Sequence, residues 1–351
     1  RCPYHLAGSL PTTRCSLREP RPKGKATPTP AGNALRAIFM LGSFLSILPV
    51  FAIIMVGYGA ARTGIVPASA HGALNRFVVW IALPALMFSI VATTDWRNLW
   101  DGSFVFASLV GSLIVFAVGM VLGRLRGLPV ADIAVDGLNA GYSNAAYIGL
   151  PLFLLALGPR SAPYVIVAAT LTLMTLFACA VVAIELGHHR HLGFGHALGK
   201  AALGVLRNPV TAAPVAGLGW WLTGITLPAP IAQLTHMLGS AASPTALVAI
   251  GLFLAERPLA EAVSNRSVLA LTATKLILHP AITALIAYPL LGMPPLTAAL
   301  AVAIAALPTG TGPFMVASFY ARDGRVTSGT ILLSTIISAV TIAAILHFLP
   351  Y

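Results

Sequence analysis

Ten apolar runs, each about as long as a bilayer is thick, constrain this chain more than any other feature of its sequence. They lie at roughly 42–62, 70–94, 102–123, 131–157, 162–187, 206–225, 230–255, 267–291, 295–321 and 327–349. Mean hydropathy is +0.89 and only 9% of the residues are charged, whereas a soluble domain carries about 25%. The sequence therefore predicts an all-α integral membrane protein with ten transmembrane helices.

The basic residues indicate which side of the membrane each loop faces. A formal charge of +12 is also typical of nucleic-acid-binding proteins, but here the bases lie in short gaps between apolar runs. Cytoplasmic loops carry the excess of Lys and Arg. This predicts a cell (inner) membrane protein with both termini outside and no nucleic-acid partner. The set assigned to the cytoplasm is Arg62, Arg76, Arg124, Arg126, Arg190, Lys200, Arg207, Arg257, Arg266, Arg322 and Arg325, against Arg97 and Arg160 on the other side.

Residues 1–39 differ in composition from the rest of the chain. They are polar and Pro-rich, and they hold seven of the 21 Lys and Arg residues. Three interpretations stay open: a disordered tail, an Arg-rich targeting segment, or sequence upstream of a true start at Met40. The last is favoured, because a native tail would have to carry seven bases to the outer side.

The two halves of the chain share motifs at an offset of 160 residues. The matching elements are Pro49-Val50 with Pro209-Val210, Thr63-Gly64-Ile65 with Thr223-Gly224-Ile225, and Pro84 with Pro244. Coincidence in helices rich in Pro, Gly and Ala is the alternative. Five spans per half is an odd number, so a true repeat must be inverted, which is a transporter architecture. We expect a first repeat at 40–187, a cytoplasmic loop at 188–205 and a second repeat at 206–351.

Spans four and nine, at matching places in the two halves, each contain a cluster of helix-breaking residues. Span four has Gly141, Asn144, Gly149 and Pro151, and span nine has Pro308, Gly310, Gly312 and Pro313. Proline removes a backbone donor, and glycine permits non-helical angles. An opened backbone in lipid persists only where it is buried or lines a wet cavity. Ordinary proline kinks are the alternative, but paired interruptions predict a transporter's binding site, with freed N–H groups that attract anions.

At these residues the sequence resembles the auxin efflux carrier family, which includes bacterial malonate-type carriers and is related to the bile acid–sodium symporters. The resemblance implies two inverted five-helix repeats with helices four and nine crossed, and carboxylate binding near the crossing. It covers about 42–349. The motifs, in family order and spacing, are Asn75-Arg76-Phe77, Ala82-Leu83-Pro84-Ala85-Leu86 with Phe88, Asn144 with Gly149-Leu150-Pro151, Asn208-Pro209, Pro244 with Gly251, Lys275 with Pro280, Leu307-Pro308-Thr309 and Ser334-Thr335.

One position departs from the plant members of the family. These carry Asn four residues after the span-nine proline, where it helps to hold substrate, whereas this chain has Gly312. The bacterial acid carriers are the better match, and auxin becomes doubtful as the substrate. Asn144 would supply one polar contact for the substrate, and the contact that the plant Asn provides must here come from backbone amides or a hydroxyl.

Around the two breaks we predict a substrate site and a set of coupling or pathway residues. Asn144 either contacts substrate or joins two helices, and Thr309 and Thr311 either bind substrate or satisfy freed carbonyls. Lys275, with His279 one turn later, either attracts an anion, pairs with an acid or snorkels. The predicted substrate residues are Tyr142, Asn144, Gly149, Pro151, Pro308, Thr309, Thr311, Gly312 and Pro313; the coupling or pathway residues are Asn75, Asp136, Lys275 and His279.

Two of those coupling candidates have further alternatives. Asp136 could carry a coupling proton, pair with Lys275, or complement the positive end of its helix. Asn75 is either structural or part of a gate. The run His188-His189-Arg190-His191 has no Cys or acidic partner, so a solvated loop is favoured and no metal site is predicted.

The sequence thus predicts a secondary transporter for a small organic anion, such as malonate or a related acid. An anion channel or a membrane receptor on the same scaffold is the alternative. An enzyme is not predicted, since H-E-x-x-H, G-x-S-x-G and paired intramembrane aspartates are missing, as is a G-x-x-x-x-G-K-[ST] nucleotide loop. No cofactor is expected; H⁺ or Na⁺ as the coupling ion and a homodimer are left open.

Overall fold

The computed structural model describes residues 48–94, 96, 101–188, 209–256, 260 and 264–348. The tail at 1–39 and nearly all of the loop at 188–205 lie outside the described residues. Within the described part the secondary structure is helical, with a single isolated β-bridge between Ser143 and Thr309. We number the helical segments in chain order: α1 Leu48–Arg62, α2 Ala68–Thr93, α3 Gly102–Leu125, α4 Val130–Gly141, α5 Leu150–Leu157, α6 Ala162–His188, α7 Pro209–Leu222, α8 Ala229–Leu254, α9 Arg266–Leu290, α10 Pro295–Ala305, α11 Gly312–Phe319 and α12 Arg325–Phe348.

Six of the described helices are long and apolar enough to cross a membrane: α2, α3, α6, α8, α9 and α12. The prediction of an all-helical integral membrane protein is therefore confirmed at that level. Two further predicted runs, 42–62 and 206–225, contain the shorter helices α1 and α7. The runs at 131–157 and 295–321 are each divided into two short helices, α4 with α5 and α10 with α11.

Proline determines where the helices change their pitch. Three π-helical turns, Val78–Ala82, Ala145–Gly149 and Thr274–Leu278, each end two residues before a proline. A proline ring clashes with the carbonyl four residues earlier and offers it no N–H. The wider π turn gives that carbonyl room. Local sequence thus explains why α2, the start of α5 and α9 are irregular.

The helices pack in two groups. In the first, α2 packs against α7 and α8, and α1 lies against α8. In the second, α4 packs against α3 and α6, α9 against α10 and α12, and α11 against α4. The two groups meet where α11 contacts α2 and where α6 contacts α7. The interrupted spans lie in the second group, close to the boundary with the first.

Candidate functional site

The two helix interruptions contact each other directly. The backbone N–H of Asn144 donates to the carbonyl of Pro308 at 2.9 Å, and the N–H of Gly310 donates to the carbonyl of Tyr142 at 3.2 Å. Ser143 and Thr309 lie opposite each other in this antiparallel bridge. Each break therefore satisfies part of the other's freed backbone, which a bilayer interior requires.

Polar side chains hold the second break in place. The Thr309 hydroxyl donates to the carbonyl of Asn139 at 2.8 Å, and the Thr309 N–H donates to Oγ of Ser334 at 3.1 Å. The side-chain amide of Asn139 donates to Oγ1 of Thr327 at 3.0 Å. Asn139 lies near the end of α4, where carbonyls lack partners within the helix. The contacts fix the crossing against both α4 and α12.

Lys275 connects the first break to the end of α10. Its side chain is fully buried, and Nζ donates to Oγ of Ser143 at 2.9 Å and to the carbonyl of Ala305 at 2.6 Å. The third contact of Nζ is with Nδ1 of His279, at 3.1 Å. Ala305 is the last residue of α10, and the negative end of a helix favours a cation. An ammonium group has three donors, and three partners surround this one.

His279 extends this polar network to α3. Its Nε2 lies 3.2 Å from Oγ of Ser112, and both side chains are buried. The network therefore joins α3, α9, the end of α10 and the first break.

A small cavity adjoins the crossing, and we call it the crossing cavity. Three polar side chains, Tyr142, Ser143 and Thr311, face it together with Gly312 at the start of α11. The rest of its wall is apolar and comes mainly from α2 and α6. The complete lining is Leu83, Leu86, Ile90, Tyr142, Ser143, Ala146, Ala169, Leu173, Phe177, Ala242, Thr311, Gly312 and Met315.

Three of the predicted substrate residues, Tyr142, Thr311 and Gly312, line this cavity. Asn144, Pro308 and Thr309 are buried in the crossing itself. Asn144 Nδ2 is buried and has no hydrogen-bond partner among the described residues. A buried amide normally has a partner, so the unpaired Nδ2 makes Asn144 a candidate ligand contact, although Asn144 does not line the crossing cavity.

The remaining predicted substrate residues support the crossing. Gly149 lies where a Cβ atom would be 2.7 Å from Cδ1 of Leu307, so it allows the two breaks to approach closely. Pro151 is the second residue of α5, and Pro313, which is buried, is the second residue of α11. Pro313 lies in the first turn of its helix, where a missing N–H costs nothing, whereas Pro151 follows the π turn Ala145–Gly149 that accommodates it.

Two predicted coupling residues lie outside the Lys275 network. Asp136 pairs with Arg126, with Nη2 and Oδ2 2.5 Å apart, and not with Lys275. Its neighbour Asp132 accepts two hydrogen bonds from Arg322, at 2.7 and 2.5 Å. Asn75 is buried, and neither polar atom of its amide has a partner among the described residues.

Sequence reasoning did not identify several residues that build this site. Ser143 adjoins Asn144 and could have been found as a hydroxyl within the break. Phe177 carried no signal, because a phenylalanine in an apolar span is ordinary.

Within the described residues, no group of three or more His, Cys, Asp or Glu side chains is placed to hold a metal ion.

Comparison with known proteins identifies the family to which this sequence is similar. A family model described as "Membrane transport protein" matches residues 43–191 and 194–346. A Rhizobium meliloti (strain 1021) protein named "Putative malonate transporter" is 32% identical over 308 residues, which is 86% of this chain and 94% of that protein. A mouse (Mus musculus) "Lysosomal cholesterol signaling protein" is 26% identical over 221 residues, which is 60% of this chain and only 25% of the mouse protein.

Proposed function

The chain belongs to the membrane transport protein family, and on that premise we propose that it is a secondary transporter for a small carboxylate. One observation carries the proposal: two interrupted helices cross at Ser143 and Thr309 beside a cavity. Interrupted helices at a shared point present backbone donors and acceptors that an intact helix would hide. Substrate would move by alternating access around this crossing.

The proposed fold has ten transmembrane helices in two inverted repeats of five. The 160-residue offset supports this, because it recurs in the packing as well as in the motifs. A Cβ atom on Gly57 would lie 2.3 Å from the carbonyl oxygen of Val248, and one on Gly217 would lie 2.9 Å from that of Phe88. Gly217 is 160 residues after Gly57, and Val248 is 160 after Phe88. The same close helix contact is thus made twice, with the roles of the halves exchanged.

The polar groups at the crossing suit an anion. The walls of the crossing cavity include the Tyr142, Ser143 and Thr311 hydroxyls and the N-terminus of α11, but no Asp or Glu among the described residues. At the start of α11, Pro313 has no N–H and the N–H of Phe314 already donates to the carbonyl of Thr311. The N–H of Gly312 is therefore the backbone donor that this helix start offers to a carboxylate, and the unpartnered amide of Asn144 supplies a further donor. The full substrate set that we propose is Tyr142, Asn144, Gly149, Pro151, Pro308, Thr309, Thr311, Gly312 and Pro313, with Asn75, Asp136, Lys275 and His279 assigned to coupling or the pathway.

The Rhizobium relative makes malonate the first substrate to test, because it is similar over nearly its whole length. The distribution of basic residues supports insertion into the cell membrane with both termini outside. Either a proton or a sodium ion would drive transport.

Uptake by purified protein in liposomes tests the proposal. Radiolabelled malonate, succinate, acetate and a longer monocarboxylate are each offered with an imposed proton gradient, an imposed sodium gradient or neither. We expect saturable uptake of at least one acid, accelerated by one of the gradients, and exchange with unlabelled acid on the other side. Failure of every acid to enter, with protein verified as folded, contradicts a carboxylate carrier. A single-channel current in a planar bilayer would identify an anion channel instead.

A further inference from the structure

A second cavity lies in line with the crossing cavity. It is small and is lined in part by Val79 of α2 and Val181 of α6. Both cavities lie between α2 on one side and α6 with α11 on the other. Three side chains belong to both linings: Leu83, Phe177 and Met315.

The spacing of the lining residues places these three side chains between the cavities. On α6, Ala169 and Leu173 face the crossing cavity, Phe177 faces both, and Val181 faces only the second. Residues four apart on a helix follow one face in order. On α2 the order is the same, from Ile90 at the crossing cavity through Leu83 to Val79. The two cavities therefore form one line, interrupted at Leu83, Phe177 and Met315.

Phe177 rests directly on the second helix break. A Cβ atom on Gly312 would lie only 2.5 Å from Cζ of Phe177, so the ring occupies the space that a side chain would need. The ring also packs edge-on against Tyr142 of the first break, with centroids 5.5 Å apart. Phe177 is 1% exposed. Any shift of the crossing must therefore move this ring or lose its packing.

We propose that Leu83, Phe177 and Met315 form an apolar septum that closes the substrate pathway between the two cavities, with Phe177 as its moving part. A dry apolar constriction blocks a hydrated anion, because stripping its water without replacement is costly. Glycine at position 312 is needed for this arrangement, because a side chain there would occupy the space of the Phe177 ring. The inference rests on the proposed transport function, because only then is the line of cavities a pathway.

Cysteine labelling tests the septum without any substrate, so its result is independent of whether a carboxylate is carried. In a background with Cys2, Cys15 and Cys179 changed to Ser, Ala169→Cys reports the crossing cavity and Val181→Cys the second cavity. The membrane-impermeant reagent MTSET is applied from each side of the membrane in turn. We expect the two cysteines to react from opposite sides.

Removing a side chain from the septum should let reagent pass between the two cavities. Adding Phe177→Ala should make Val181→Cys react from the side that labels Ala169→Cys, roughly ten-fold faster or more, because water can then enter the constriction. Phe153→Ala is the matched control, a fully buried phenylalanine on α5 that lines neither cavity. Leu83→Ala gives the same test if Phe177→Ala does not fold. Unchanged labelling in a folded septum variant, or labelling of Val181→Cys from both sides with Phe177 present, would overturn the proposal.

Substitution of Gly312, which packs against the Phe177 ring, provides an independent test of the septum. Gly312→Ala should displace Phe177 and also accelerate labelling of Val181→Cys. In the Phe177→Ala protein the same glycine change should add little, because the ring that it displaces is gone. Additive effects of the two changes would show that Gly312 does not act through Phe177.

Discussion

At the scale of single residues, hydrogen-bond satisfaction distinguishes the polar groups of the crossing. Lys275 has three partners, at 2.6, 2.9 and 3.1 Å, and is fully buried. Nδ2 of Asn144 is buried but has none among the described residues. A satisfied buried group contributes to the fold, whereas an unsatisfied buried donor is a candidate contact for a ligand. The two residues should therefore respond differently to substitution.

Lys275→Met should destabilise the protein by about 1–3 kcal/mol, because it leaves the buried carbonyl of Ala305 without its donor. Thermal unfolding of the purified protein in detergent measures this. Ile277→Met is the control, since Ile277 is exposed in the same π turn. Equal unfolding temperatures for Lys275→Met and wild type would show that Lys275 does not hold the crossing.

Asn144→Ala should weaken substrate binding and leave the unfolding temperature near that of wild type. One hydrogen bond to a charged ligand contributes about 1.5–3 kcal/mol, which corresponds to a roughly ten- to hundred-fold loss of affinity. The measurement is the affinity of purified protein for an acid that the liposome panel has identified. Gln233→Ala, which removes an exposed amide on α8, should change nothing. Wild-type affinity in Asn144→Ala would remove this side chain from the site.

At the scale of helices, glycines permit the close contacts that assemble the first group. Gly57 of α1 faces the backbone of α8, and Gly217 of α7 faces that of α2. Two positions later on the same helices, Gly59 and Gly219 have nothing within 4 Å of an added Cβ. These two contact glycines and their two matched controls are again 160 residues apart.

Gly57→Ala and Gly217→Ala should each lower the unfolding temperature, and Gly57→Ala should lower it more because its Cβ would be closer to a carbonyl oxygen, at 2.3 against 2.9 Å. Gly59→Ala and Gly219→Ala should be neutral or stabilising, since alanine favours a helix by up to about 1 kcal/mol over glycine. If all four variants unfold at the same temperature, the helices do not depend on these contacts.

At the scale of the whole molecule, the balance of basic residues predicts one orientation in the membrane. The loop at 188–205 should lie in the cytoplasm and both termini outside. With the three native cysteines replaced by Ser, Gly195→Cys should resist a membrane-impermeant maleimide in intact cells and react after the cells are opened. A cysteine placed at Tyr351 should react in intact cells. Labelling of position 195 from outside would reverse the proposed topology.

The sequence by itself determined the class of protein and the positions of its irregular helices. Long apolar runs require lipid whatever their packing, and proline and glycine act on the backbone within a few residues. For this reason the interruptions near Asn144 and Pro308 were predictable, and so was the family. The role of Asp136 was left open between carrying a proton, pairing with Lys275 and complementing its helix start, and its observed partner Arg126, only ten residues earlier, was not predicted.

Only the tertiary structure decided which residues meet. The bridge between Ser143 and Thr309, the contact of Lys275 with Ala305, and the pairing of Asp136 with Arg126 all depend on how the helices cross. The position of Phe177 over Gly312 depends on side-chain packing between two spans that are far apart in the chain. Periodicity shows which face of a helix is apolar, but in a bilayer almost every face is apolar. Close packing of particular side chains therefore selects the partners, and with them the cavity and the septum.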